Sequence, residues 1–180
     1  MGCGRAGDER YKWLSAHGGV ALLALAPDLV TRLPRFIGWM GAQRPFDLDP
    51  LVLRLADDAR RFELSTMSYV SAIGLASSIA MFSSLGFEGI DQHARRLATH
   101  LVDRVAELGW RPFRSPSDPS AAAHIVSLRH ADRDPSVTAE RLASEARIVC
   151  GRRAGGLRIS LHAYNDGDDV DRLVEALRRL

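Results

Sequence analysis

Two stretches of the chain repeat apolar residues at helical spacing, and one alternates them. Over residues 88–108, Ile90, Ala94, Leu97, Leu101, Val105 and Leu108 recur every three or four positions, while Arg95, Arg96 and Asp103 fall on the opposite side. This spacing predicts an amphipathic helix, with Gly109 as its C-cap. Val170, Leu173, Val174 and Leu177 predict a second helix starting near Asp166. Asp168 and Asp169 in its first turn and Arg178 and Arg179 in its last complement the helix dipole. Between these helices, Leu157, Ile159 and Leu161 alternate with Arg158, Ser160 and His162, which predicts a strand over 157–163. Strands are also expected at His124–Arg129 and Arg147–Cys150, and a helix at Ser136–Ala146.

Other apolar stretches carry no period. Gly18-Gly19 opens the run VALLALA, the pattern of a strand buried on both faces. Pro27-Asp28 begins a short helix, and Pro34 ends it. Residues 36–61 are irregular, punctuated by Gly38, Gly41, Pro45 and Pro50. Residues 68–85 (SYVSAIGLASSIAMFSSL) are apolar or small nearly all round, which predicts a helix buried between layers. Residues 111–123 are turn-rich. The start, MGCGRAGDER, reads as a disordered loop. The expected division is therefore an atypical start at 1–10, one body over 11–110 and an α+β unit over 111–180.

Composition narrows the function classes. Hydrophobic residues make up 46% and charged residues 26%, with a net charge of +2, which is ordinary globular composition. No basic block points to nucleic acid, and no apolar run reaches the length of a membrane span. The two cysteines, Cys3 and Cys150, are too few for a disulfide framework and fit a reducing, cytoplasmic setting. Arg10 and Lys12 ahead of an apolar run loosely mimic a secretion signal, but Asp8, Glu9 and Pro27 argue against one.

Lysine and arginine together number 24, and Lys12 is the only lysine; the remaining 23 are arginines. Arginine replaces lysine in most surface roles, but it cannot form a Schiff base. Lys12 is thus a candidate nucleophile or an accident of an arginine-favouring code. The 157–163 strand leaves a similar choice. Its second face carries Arg158 with a hydroxyl and an imidazole, either as a clamp for a carboxylate or as a solvent-facing side.

Taken together, the segments resemble the class V aminotransferase family, which includes cysteine desulfurases, selenocysteine lyases and kynureninase-like enzymes. YKWLSAHGGVALLALAPDLVTRL is similar to the family's lysine motif with its glycine turn. RFELSTMSYVSAIGLASSIAMFSSLG is similar to the phosphate-contacting threonine turn and the helix behind it. The 88–108 helix resembles the connection into the small domain. RIVCGRRAGGLRISLHAYNDGDDVDRLVEALRRL is similar to the closing strand-turn-helix.

The resemblance implies an α/β fold of the pyridoxal-phosphate (PLP) transferase type, fold type I, present here as a truncated large-domain remnant plus a C-terminal α+β small domain. It implies that Lys12 holds PLP and that Thr66 contacts the cofactor phosphate of the neighbouring subunit in a homodimer. Arg158 would bind the α-carboxylate of an amino-acid substrate, and Tyr164 and Asn165 would be structural, Asn165 helping to cap the last helix. It assigns no metal. Ser65 stands where the family usually has glycine. Cys150 lies seven residues before Arg158, at the end of an expected strand, and reads as a packed thiol, so the desulfurase branch is disfavoured and the lyase or epimerase-like branch favoured. The acidic partner of the ring nitrogen and the ring-stacking side chain lie upstream of the lysine in this family, so the chain is expected to be inactive alone. The alternative is a non-catalytic remnant or split-protein half that acts as an interaction domain.

Overall fold

The computed structural model describes residues 10–122 and 124–180; the expected disordered start therefore lies almost wholly outside the described residues. The chain divides into two compact units, one ending at Ser84 and the other running from Leu85 to Leu180. The division expected at 110/111 thus falls earlier. The amphipathic helix packs its apolar stripe on the last helix of the chain, and so belongs with the C-terminal unit.

The first unit contains the single helical turn α1 (Arg10–Trp13), the short helix α2 (Pro27–Val30) and the long helix α3 (Tyr69–Leu85). The segment between α2 and α3 holds three 3-10 turns, Trp39–Gly41, Pro45–Asp47 and Ala59–Phe62. This loop closes on itself. Gln43 N donates to Arg54 O at 2.7 Å, Ala56 N donates to Gly41 O at 3.0 Å, and Ala42 pairs with Leu55 in an isolated bridge. Two glycines make the closure possible. A Cβ on Gly41 would lie 2.8 Å from the Arg61 carbonyl oxygen, and one on Gly38 would overlap the Leu64 backbone.

Two expectations for this unit are corrected. VALLALA forms no strand, and Leu22 and Leu23 are exposed. A strand buried on both faces needs neighbours to pair with and layers to cover it, and the described residues of this unit offer neither. Helix α3 is not buried between layers either. Only Ser71, Leu75, Ser78 and Phe82 are buried, on one face, while Val70, Ile73 and Leu85 are exposed.

The second unit is a four-stranded antiparallel sheet, order β1-β2-β4-β3, covered on one face by helices. Its elements are α4 (Phe87–Ala106), β1 (Arg111–Pro112), β2 (Ile125–Arg129), α5 (Pro135–Ala146), β3 (Gly151–Arg153), β4 (Gly156–Ser160) and α6 (Gly167–Arg179). The core joins Leu97, Leu101 and Val105 of α4 to Leu128, Leu157 and Leu177, with Trp110 fully buried among them. Gly109 takes φ +83 just beyond α4, as expected of a residue that ends a helix. Asp134 and Asp166 cap α5 and α6 by accepting backbone N–H bonds.

The strand expected at Arg147–Cys150 is found a few residues later, at Gly151–Arg153. Ala154 and Gly155, with φ of +49 and +72, form a two-residue turn whose twist matches the strands it joins. The turn fixes the register and puts β3 directly before it. Asn165 does not itself cap α6. It braces the turn ahead of it, accepting from His162 N through Oδ1 at 2.9 Å and donating through Nδ2 to Asp169 Oδ2 at 2.9 Å.

Candidate functional site

Lys12 sits in α1 with its side chain exposed. The turn closes with Ser15 N donating to Lys12 O at 3.2 Å, and Ser15 itself takes φ +51. From Leu14 to Gly19 the backbone is irregular, so its carbonyls need partners that a regular ladder would otherwise supply. Helix α3 provides them. Ser78 Oγ donates to Leu14 O, and Ser71 Oγ donates to Gly18 O at 2.7 Å. Phe82 stacks on Trp13 with ring centroids 5.6 Å apart at 20°. Gly74 leaves room for His17, whose Cδ2 lies 2.7 Å from where a Cβ would stand. Positions 71, 74, 75, 78 and 82 share one face of the helix, and that face holds the lysine segment.

Thr66 is exposed and lies in the short connection leading into α3. Two residues on, Ser68 immediately precedes the helix. Its Oγ lies 2.9 Å from Ser71 Oγ and accepts from Ser71 N at 3.4 Å. The single O–H of Ser71 is committed to Gly18, so Ser68 is the donor in the hydroxyl pair. A Ser68–Ser71–Gly18 chain thus ties the Thr66 connection to the Lys12 segment. These serines were not singled out from sequence, because the small residues of α3 read simply as a packing surface. The seven-residue spacing of Ser71 and Ser78, two helical turns, was the available signal.

Arg158 belongs to the second unit. It occupies the middle of β4, half-buried, registered with Ser127 of β2 on one side and Gly151 of β3 on the other. Leu157 and Ile159 point into the core, so the expected alternation holds through Ser160. His162 departs from it. The strand ends before His162, which is buried and stacks on Tyr164 at 4.3 Å. The polar companions of Arg158 are therefore Ser127 and Ser160 rather than an imidazole. Cys150 sits just before β3, partly buried against the core. Burial pushes its thiol up to about 11, away from the thiolate that nucleophilic or sulfur-transfer chemistry needs.

A cavity of about 720 Å³ lies within the 37–54 loop, lined in part by Trp39, Arg44, Asp47 and Leu53. It includes none of Lys12, Thr66 and Arg158, so its size alone assigns it no chemistry.

Comparison with known proteins places these features in one family. The profile of the class V aminotransferases matches residues 12–173. An uncharacterized aminotransferase of Schizosaccharomyces pombe is 29% identical over 176 residues, covering 94% of this chain and 43% of the relative. A probable cysteine desulfurase of Staphylococcus epidermidis is 30% identical over 137 residues, 69% of this chain and 33% of the relative. A probable hercynylcysteine sulfoxide lyase of Mycobacterium tuberculosis is 26% identical, with 97% of this chain and 45% of the relative covered.

Among solved structures, the cystine C-S lyase C-DES has a TM-score of 0.76 at 20% identity, over 93% of this chain and 44% of that one. The cysteine desulfurase of Thermococcus onnurineus NA1 has a TM-score of 0.73 at 21% identity, over 93% and 45%. These likenesses show the fold, that of the PLP-dependent enzymes of fold type I. The chain spans less than half the length of each of these relatives. With the match running from the lone lysine into the last helix, the chain belongs to the class V aminotransferase family, whose cofactor is pyridoxal phosphate.

Proposed function

We propose that this chain is the C-terminal portion of a PLP enzyme acting on an amino acid, with Lys12 as the cofactor lysine, Thr66 as a phosphate contact and Arg158 as the clamp for the substrate carboxylate. The observation that carries this reading is the hydroxyl chain through Ser68 and Ser71. It holds the segments bearing Lys12 and Thr66 to one helix face.

The residues fit two edges of the cofactor. Lys12 offers an exposed primary amine for the aldehyde, and Thr66 offers an exposed hydroxyl for the phosphate. They do not supply a partner for the ring nitrogen, which calls for a carboxylate. Neither residues 10–27 nor residues 64–85 contain an aspartate or glutamate. That carboxylate and the ring-stacking side chain come, in this proposal, from protein outside these 180 residues, and Thr66 serves the neighbouring subunit of a homodimer.

When bound, PLP accepts the electron pair left at the substrate α-carbon. Arg158 fixes the carboxylate through paired hydrogen bonds. The Lys12 amine would take up and return the α-proton. Transamination, elimination and racemisation all draw on this set. The test is to mix the chain with PLP, reduce with borohydride and map the labelled peptide. Label on Lys12 is expected, and label confined to the amino terminus would sink the proposal.

The exposed apolar residues of the first unit, Leu51 at 92% and Phe36 at 78% among them, favour a second reading, in which the chain is a split-protein half that works by association. An apolar surface of this kind marks a contact region. Association without Lys12 labelling would select that reading.

A further inference from the structure

The β3–β4 hairpin places two arginines in an unusual setting. Across it, Arg153 pairs with Gly156 and Arg158 pairs with Gly151. Residues paired in register share a face, and so do alternate residues of one strand. All four therefore lie on one side of the sheet, and each arginine faces a glycine. No side chain stands between the two arginine stems. Ser127, registered with Arg158 on β2, adds a hydroxyl. A Cβ at Gly156 would come within 2.4 Å of Ser127 Oγ, so a larger residue there would push the serine aside. The result is a depression of about 350 Å³ lined by Ile125, Ser127, Arg153, Ala154 and Arg158.

The charge of this face is uncompensated. No aspartate or glutamate occurs in any of the four strands. Neighbouring arginines are already committed. Arg152 points to the other face and pairs with Glu140 at 3.4 Å. Arg129 donates to the Ala154 carbonyl at 3.4 Å and lies over the Phe113 ring. Arg111 donates to Ala106 O at 2.7 Å. Arg153 and Arg158 have neither an ion pair nor a side-chain hydrogen bond among the described residues. Two guanidinium groups held diagonally on a bare hairpin stand roughly 7–8 Å apart at the backbone. Leaning inward, their side chains reach the two ends of a small diacid, and each can grip one carboxylate through a fork of two donors.

We infer that Arg153 and Arg158 form a two-point clamp, and that the amino acid taken by this site carries a second anionic group on its side chain. The inference rests on the proposed role of Arg158 as the α-carboxylate ligand. It adds Arg153 as the residue that sets specificity, by gripping the side-chain acid.

The test uses the 180-residue chain without PLP. The arginine Nε–H resonances are followed by NMR as l-alanine, l-aspartate or l-glutamate is added. One diacid is expected to bind about tenfold more tightly than alanine, the gain of a second charge-assisted contact. Arg153→Gln should remove that preference by weakening the diacids more than alanine, whereas Arg158→Gln should weaken all three ligands. Arg153→Lys, which keeps a point charge without the fork, should retain part of the preference and guards against a variant that merely misfolds. Equal affinity for alanine and both diacids, or equal losses for alanine and the diacids in Arg153→Gln, would overturn the clamp. Because PLP is absent, the titration stands or falls separately from the labelling of Lys12.

Discussion

The hydroxyl of Ser71 donates to the carbonyl of Gly18 across 53 residues of sequence, at 2.7 Å. Ser71 is buried, so its loss would leave a carbonyl in the lysine segment without its partner. Ser71→Ala is expected to destabilise the chain by about 1–2 kcal/mol, measured by urea denaturation. It should also slow borohydride trapping of PLP on Lys12, since the segment then loses one of its ties to α3. Unchanged trapping kinetics would show that the hydroxyl chain does not position the lysine.

Lys12→Arg preserves the positive charge on an exposed side chain. The expected outcome is loss of all specific PLP labelling with a melting temperature within about 2 °C of the parent, because exposed substitutions of this kind shift stability little. The 180-residue chain itself is expected to show no turnover of cysteine, selenocysteine or alanine above that of free PLP. A spectrophotometric assay with each amino acid checks this.

Gly38 sits where any side chain would overlap the Leu64 backbone. Backbone cannot swing aside as a side-chain tip can. Gly38→Ala should therefore open the 38–64 loop at a cost of about 2–4 kcal/mol, read as faster proteolytic cleavage between α2 and α3. Gly74→Ala meets only the exposed His17 ring, and should be far milder.

Ala154 takes φ +49 in the β3–β4 turn, a conformation that costs a residue with a Cβ about 1 kcal/mol or more. Ala154→Gly is expected to stabilise the chain by about 0.5–1 kcal/mol, part of the relief being offset by the greater freedom of glycine when unfolded. Thermal melts settle the sign.

Burial raises the Cys150 thiol to about 11 from an ordinary value of 9.0. The folded state thus holds this proton more tightly than the unfolded state. Its contribution to stability is present in full below pH 9 and is lost as pH rises toward 11, by about 2–3 kcal/mol in all. Cys150→Ala should flatten the decline between pH 9 and 11 relative to the parent. Alkylation of Cys150 at pH 8 should be on the order of a hundredfold slower than that of free cysteine.

Helices α4 and α6 could be read from sequence because one-sided burial leaves a one-sided pattern: Leu97, Leu101 and Val105 in one, Val170, Leu173 and Leu177 in the other. β4 could be read for the same reason, through Leu157 and Ile159. The position of β3 could not, because the Ala154-Gly155 turn sets it and Arg147–Cys150 merely carries suitable residues. VALLALA names its environment without naming its neighbours; an apolar run becomes a strand only where other strands pair with it. In α3 the apolar residues go nearly all round, which hid the face that matters. Ser71 and Ser78 were counted as small residues, when their hydroxyls are what hold the lysine segment. Lys12 stood out for a chemical reason, since no arginine could do what a lysine there can.

Every member of the main core cluster lies between Leu97 and Leu177. On the ribosome this order matters. The lysine segment and the loop carrying Leu48, Leu51 and Leu53 are synthesised before that cluster, and the three leucines stay exposed in the folded first unit. Chains exposed in this way are prone to aggregate or to recruit chaperones. The yield of soluble protein should therefore depend on these exposed leucines more than on the stability of the finished C-terminal sheet.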